Sequence, residues 1–118
     1  METNFRNKLK TKIDNFVHKV YFLTRSFPKE ELYGVTSQIR RSSLSIALNY
    51  VEGYARKKKL VLINFLEISY GSLKETQYLL DFCFTEGYIK EGDLKELSFL
   101  ADELGAMIWG VIEGIRNK

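Results

Sequence analysis

One cysteine, one proline and one histidine are all that the 118 residues contain of those three types, and each shortage removes a class of protein. A lone Cys83 builds neither an internal disulfide framework nor a CxxC metal site. Flanked by Phe82 and Phe84, it reads as a buried, inert thiol and not as a nucleophile. A single histidine excludes a di-metal carboxylate bundle, which needs two Glu-x-x-His motifs, and the nearest acid upstream of His18 is Asp14. The run His18-Lys19-Val20-Tyr21 also lacks the His-x-x-Lys-Gly pattern of four-helix phosphotransfer domains. There is no GxxxxGK[ST] loop and no GxGxxG turn. The sequence therefore points to no catalytic residue, no metal and no cofactor, and an enzyme is not expected.

Proline and Gly/Ser-rich stretches are too scarce to mark a linker, so residues 1–118 read as one domain. The longest uncharged run, Ser42 to Val51, is about half of what a membrane span requires. Met1 to Lys12 is polar and basic with no apolar stretch behind it, which argues against a signal peptide. A cytoplasmic protein of bacterial type, without a membrane role, is the expectation.

What the chain does have is apolar residues in steps of three and four, the period of helices. Leu9, Ile13, Phe16, Val17, Val20 and Tyr21 predict a first helix, stopped at Phe27-Pro28. Pro28-Lys29-Glu30-Glu31 predicts the start of a second. It carries Leu32, Val35, Ile39, Ile46 and Tyr50 and runs to about Ala55. Phe65, Ile68, Leu73, Leu79, Leu80 and Phe82 mark a third over residues 60–85, with Gly87 as its stop. Asp93-x-x-Glu96 resembles a capping box for a fourth, striped by Leu94, Leu97, Ala101, Leu104, Ile108, Val111 and Ile115. Short links force neighbours antiparallel, so the fold class is all-α, an up-down-up-down four-helix bundle.

Two features exceed the needs of a self-contained bundle. Leu44, Leu48 and Val51 lie off the main stripe of the second helix, and Leu60 to Leu66 is apolar around much of its circumference. Extra apolar surface predicts burial against another subunit. A row of Arg41, Ser45, Asn49, Glu52 and Arg56 also crosses the second helix. It reads either as a solvated face or as a polar network within a subunit interface.

The charge is uneven as well. Residues 1–60 hold 13 Lys/Arg against 5 Asp/Glu, a net of +8, and residues 61–118 hold 5 against 10, a net of −5. An antiparallel bundle brings three basic places to one end. They are Arg6, Lys8, Lys10 and Lys12, then Arg56, Lys57, Lys58 and Lys59, then Arg116 and Lys118. Helix dipoles favour cations after the second and fourth helices but not at the opening of the first. That residue of unfavourable charge is the footprint expected for a phosphate-rich partner.

The stretch Phe27-Pro28-Lys29-Glu30-Glu31-x-Tyr33-Gly34-x-Thr36-Ser37-Gln38-Ile39-Arg40-Arg41 closely resembles one bacterial family. Ser45-Ile46, Asn49-x-x-Glu52-Gly53, Phe65-Leu66 and Gly71-Ser72-Leu73-x-Glu75 extend the likeness over nearly the whole chain. The family is that of four-helix-bundle proteins encoded in intervening sequences of 23S ribosomal RNA genes. It includes accessory proteins of diversity-generating retroelements. The resemblance implies a homopentamer around a central channel and nucleic-acid binding without much sequence preference. For the retroelement members it implies a reverse-transcriptase partner. It makes Arg40, Arg41, Asn49, Glu52 and Glu75 structural or subunit-interface polar residues. This chain departs from the family at Ala47-Leu48-Asn49-Tyr50-Val51, where a proline and an isoleucine are expected around the asparagine.

The leading expectation is an oligomeric protein that binds RNA or DNA phosphates through Lys8, Lys10, Lys12, Arg56, Lys57, Lys58 and Lys59. The alternative is a protein-interaction adaptor, for example for a reverse transcriptase, with no direct nucleic-acid role.

Overall fold

A computed structural model of the chain describes residues 2–118; Met1, where the polar N-terminal stretch begins, lies outside the described residues. Four helices carry the fold: α1 (Glu2–Thr24), α2 (Val35–Tyr54), α3 (Lys59–Thr85) and α4 (Glu91–Arg116). Each helix packs on its two sequence neighbours, and α1 closes the ring against α4, with no diagonal packing among the described residues. This is the antiparallel four-helix bundle that the apolar spacing predicts. At 1.5 Å rise per residue, the 27 residues of α3 nearly match the 46 Å long axis of the molecule.

The core is built from one stripe of each helix. Leu9, Ile13, Phe16 and Val20 come from α1, and Ile39, Ile46 and Tyr50 from α2. Leu66, Leu73 and Leu80 of α3 meet Leu104, Ile108 and Ile112 of α4. Each fully buried side chain of this size contributes about 1.5–3 kcal/mol by leaving water. Of the residues whose spacing marks α3, Ile68 and Phe82 point outward at 44% and 42% exposure. Spacing of three and four fits them equally well to the opposite side of the same helix.

The second helix begins later than Pro28. Lys29–Glu31 forms a single 3₁₀ turn, and α2 proper starts at Val35, which leaves Leu32 outside the helix and exposed. The break follows from Glu31. Its carboxylate folds back to accept the Val35 N–H at 3.2 Å and so takes over one of the unpaired donors that open a helix. A methyl group on Gly34 would stand 2.6 Å from that same oxygen, so glycine is the residue that leaves room for the cap. The other Glu31 oxygen accepts the Tyr88 hydroxyl at 3.0 Å, tying the α1–α2 link to the α3–α4 link. Phe27 packs against the Tyr88 ring beside it, with centroids 5.7 Å apart.

At the end of α3, Gly87 adopts φ +83°, its N–H reaches the Phe84 carbonyl, and the Tyr88 N–H reaches that of Cys83. These two bonds are a Schellman stop, as the glycine foretells. The capping box at Asp93 does not form. Helix α4 starts at Glu91 with Lys90 in the cap position, and Asp93 sits inside the first turn, where its charge faces the positive end of the dipole.

Helices α2 and α3 approach each other through small residues. Ser42 and Thr76 share a hydrogen bond of 2.8 Å, as do Ser45 and Ser72, and Ser69 donates to the Ile46 carbonyl at 2.7 Å. Asn49 completes the row by donating to the Ser45 hydroxyl and carbonyl, each at 2.9 Å. Near the end of the seam, a side chain on Gly53 would meet Leu62 Cδ1 and Phe65 Cβ, both at 3.1 Å. Gly53→Val should therefore destabilise the fold by about 1–3 kcal/mol through overpacking. Urea unfolding checks this, and an unchanged midpoint would show that the helices are free to move apart.

Candidate nucleic-acid interface

Three contacts gather the basic segments at one end of the bundle. The Tyr50 hydroxyl donates to the Arg6 carbonyl at 2.9 Å, which fixes the start of α1 against the end of α2. The Arg6 guanidinium lies 4.2 Å from the centre of the Tyr54 ring, a cation–π contact on the same side. Lys59 donates to the backbone oxygen of Lys118 at 3.3 Å, which brings the start of α3 to the end of α4. The topology thus places α1's start, the α2–α3 link and α4's end together, as the charge pattern anticipates.

Within that end the cations are not equivalent. Lys10 pairs with Asp14 at 2.8 Å and Arg56 with Glu52 at 3.0 Å, whereas Lys12 lies halfway along α1, away from that end, and crosses to Glu103 halfway along α4 at 3.3 Å. The Arg56 guanidinium also sits 5.1 Å over the Phe65 ring. Arg116 is held by Glu67 at 3.1 Å and Glu113 at 2.8 Å. All of these pairs are largely solvent-exposed, and such pairs contribute well under about 1 kcal/mol each. Lys8, Lys57 and Lys58 are exposed and make no hydrogen bond or ion pair among the described residues.

The start of α3 concentrates this unpaired charge. Lys58 occupies its cap position with no side-chain cap bond, and no acid lies in its first turn. The open N–H groups and the positive end of the dipole therefore face the same solvent as Lys57, Lys58 and Lys59. Beside them Lys59, Leu60, Ile63, Asn64, Glu67 and Arg116 line an open depression of about 550 Å³. Donors of this kind and density suit phosphate oxygens. The charge pattern places Arg6 and Arg116 at this end, but not their contacts: Arg6 stacks on Tyr54 and Arg116 spans two carboxylates, and neither contact leaves a signal in local spacing.

The polar residues of the central helices take different places. Arg40 is half-buried, donates to the Thr24 hydroxyl at 2.8 Å and lies 5.1 Å over the Tyr21 ring. Asn49 belongs to the α2–α3 seam. Glu52 only pairs with Arg56. Arg41 and Glu75 line a common polar depression of about 340 Å³ with Gln38, Ser42, Ser45 and Ser72, yet they form no ion pair with each other.

Among the described residues no group of three or more His, Cys, Asp or Glu side chains is placed to hold a metal ion. No described helix is long and apolar enough to cross a membrane. Cys83 is fully buried, and burial pushes its thiol up to about 11, with Glu31 and Glu86 adding to the effect. Burial and the neighbouring Tyr54 likewise hold the Tyr50 hydroxyl above the usual phenol range, and the bond to Glu31 does so for Tyr88.

The arrangement defines a class: a four-helix bundle with one cationic end. Comparison with known proteins gives the family. The chain belongs to the 23S rRNA-intervening sequence proteins, whose family profile matches residues 6–110. Among solved structures it is similar to a Bacteroides thetaiotaomicron protein of unknown function from the S23 ribosomal protein family. The two share 24% identity and a TM-score of 0.86 over 92% of this chain and 98% of the other. That likeness supports the fold. No curated protein matches the chain.

The three raised acids carry a pH dependence of definite sign. Each favours its neutral form when folded, so the native state retains protons that the unfolded chain releases. Stability should hold below about pH 9 and fall as pH rises toward 11, the window between the ordinary thiol value of 9.0 and the native one of about 11. Thermal melts at stepped pH check the slope, and a thiol reagent at pH 8 should label Cys83 only in denaturant.

Proposed function

We propose that the chain is an oligomeric nucleic-acid-binding protein of the rRNA intervening-sequence family, a homopentamer by family resemblance, that grips phosphates with its basic end. The observation that carries this reading is the uncompensated charge of Lys57 and Lys58 at an uncapped helix start with no acid in its first turn, with Lys8 also unpaired on α1. A protein that needed only solubility would gain from an acid there. Lys59 and Arg56 stand beside it, Lys10 and Lys12 lie further along α1, and all four exchange weak surface contacts for phosphate. Backbone contacts of this sort read charge and not sequence, so RNA and single- or double-stranded DNA all qualify as ligands. The reading places the protein in the cytoplasm as a non-enzymatic partner of nucleic acid.

A second reading, an adaptor for a protein such as a reverse transcriptase, draws on the other end of the bundle. There Tyr33 is 93% exposed and, with Tyr78, Phe82 and Glu31, borders an open groove of about 490 Å³. Exposed aromatic side chains are enriched at protein-docking surfaces.

Titration of fluorescent RNA and DNA oligomers over a range of salt separates the two. Affinity should fall steeply with salt, and Lys57→Glu with Lys58→Glu should weaken binding by about tenfold or more for every sequence tested. Equal weak binding by wild type and variant, unchanged by salt, would rule out the basic end as the contact surface.

A further inference from the structure

The outward faces of α2 and α3 are patterned as if each meets another helix. On α2, Ser37, Arg41, Leu44, Leu48, Val51 and Ala55 follow in alternating steps of four and three. On α3, Val61, Asn64, Ile68, Gly71, Glu75 and Tyr78 follow in alternating steps of three and four. A sustained alternation of this kind is the spacing of a helix–helix seam. Yet Leu44, Leu48, Val51, Val61, Ile68 and Tyr78 are all exposed, Leu48 at 59%. Nothing lies within 4 Å of where a Gly71 side chain would stand, so the gap there is open. Arg41 and Glu75, one on each face, make no hydrogen bond or ion pair among the described residues.

The hydrogen bonds of the seam fix the relative heights of the two helices. Ser42 is level with Thr76, and Ser45 with Ser72, with the helices running in opposite directions. Two copies set side by side with like ends together keep this alignment between the α2 face of one and the α3 face of the other. Within a residue or two, Arg41 then stands opposite Glu75, Leu44 opposite Gly71 and Leu48 opposite Ile68.

We propose that a second copy of this chain docks in this register, its α3 face against the α2 face of the first. The inference rests on the oligomeric reading above and adds which surfaces meet and how they are aligned. Both charge and shape are complementary: the lone cation meets the lone acid, and a large side chain meets the gap at Gly71. Self-pairing of either face offers neither. Paired α3 faces would bring Glu75 no cation from the facing stripe, and paired α2 faces would offer Arg41 only Glu52, which Arg56 already holds. Because the two surfaces differ, the contact is heterologous, and each added copy presents a fresh face to the next.

Disulfide trapping tests the register. Leu48→Cys and Ile68→Cys are prepared separately; both sites are exposed, and the native Cys83 is buried. After oxidation, the mixture of the two should give a disulfide-linked species of twice the 13.8 kDa chain mass, and either variant alone should give none. A linked species from Leu48→Cys alone would overturn the proposal in favour of a symmetric contact. Light scattering on the unmodified protein separates the two levels of failure. A multiple of the chain mass without trapping in the mixture overturns the register and leaves the oligomer standing. The single-chain mass at micromolar concentration overturns both. Independently, Arg41→Glu should weaken assembly at least tenfold, and adding Glu75→Arg in the same chain should restore it; no restoration would count against the pairing.

Discussion

The close approach of α2 to α3 is the constraint on which the rest of the molecule depends. Serine and threonine hydroxyls bridge the two helices directly, and Gly53 leaves no room for a side chain at the far end of the seam. A seam of this kind consumes the positions that would otherwise carry leucine or isoleucine. The buried hydroxyls that bridge the seam are tolerated because each finds a partner, whereas an unpaired one such as that of Thr36, near the start of α2, is expensive. The large apolar residues of these helices are thereby divided between the core and the outer surface. Leu44, Leu48 and Ile68 face outward because the side toward the neighbouring helix is occupied by smaller groups.

Charge is organised along the other direction, end to end. The links at one end hold Glu31 as a cap and Tyr88 as its partner. The link at the other end holds consecutive cations and caps nothing. Because the helices alternate in direction, their dipoles cancel and neither end gains a net dipole from them. The difference between the ends therefore belongs to side chains and to individual helix termini. The basic end owes its field to the chain order alone, since cations remote in sequence converge there only in an antiparallel bundle.

Much of this was legible before any coordinates. The stripe of α1 names its buried residues almost in full; that of α4 does so from Leu97 to Ile108, beyond which Ile112 is the buried residue and Val111 and Ile115 are only partly covered. Gly87 announces its own turn. The start of α2 was misjudged because proline and acids mark a helix opening equally well for a 3₁₀ turn, and the cap that decides the matter reaches back from Glu31. Asp93 failed as a cap because the dipole accepts an acid anywhere in the first turn. For α3, three-four spacing occurs on two sides at once, so periodicity could not separate Leu73 from Ile68. The basic segments were legible one by one, but their pairing was not. Which lysines are occupied by carboxylates depends on side chains that meet only across helices, as Lys12 meets Glu103.

The Glu31 bridge has a mechanical consequence. One carboxylate fastens the opening turn of α2 to the loop that precedes α4, so the two connections at that end move as one piece. At the opposite end the contacts between helices include a phenol, a stacked guanidinium, a lysine on the last residue and the bridge from Arg116 to Glu67. The two ends of the bundle thus differ in how they are fastened, one through a single shared carboxylate and the other through separate contacts between neighbouring helices.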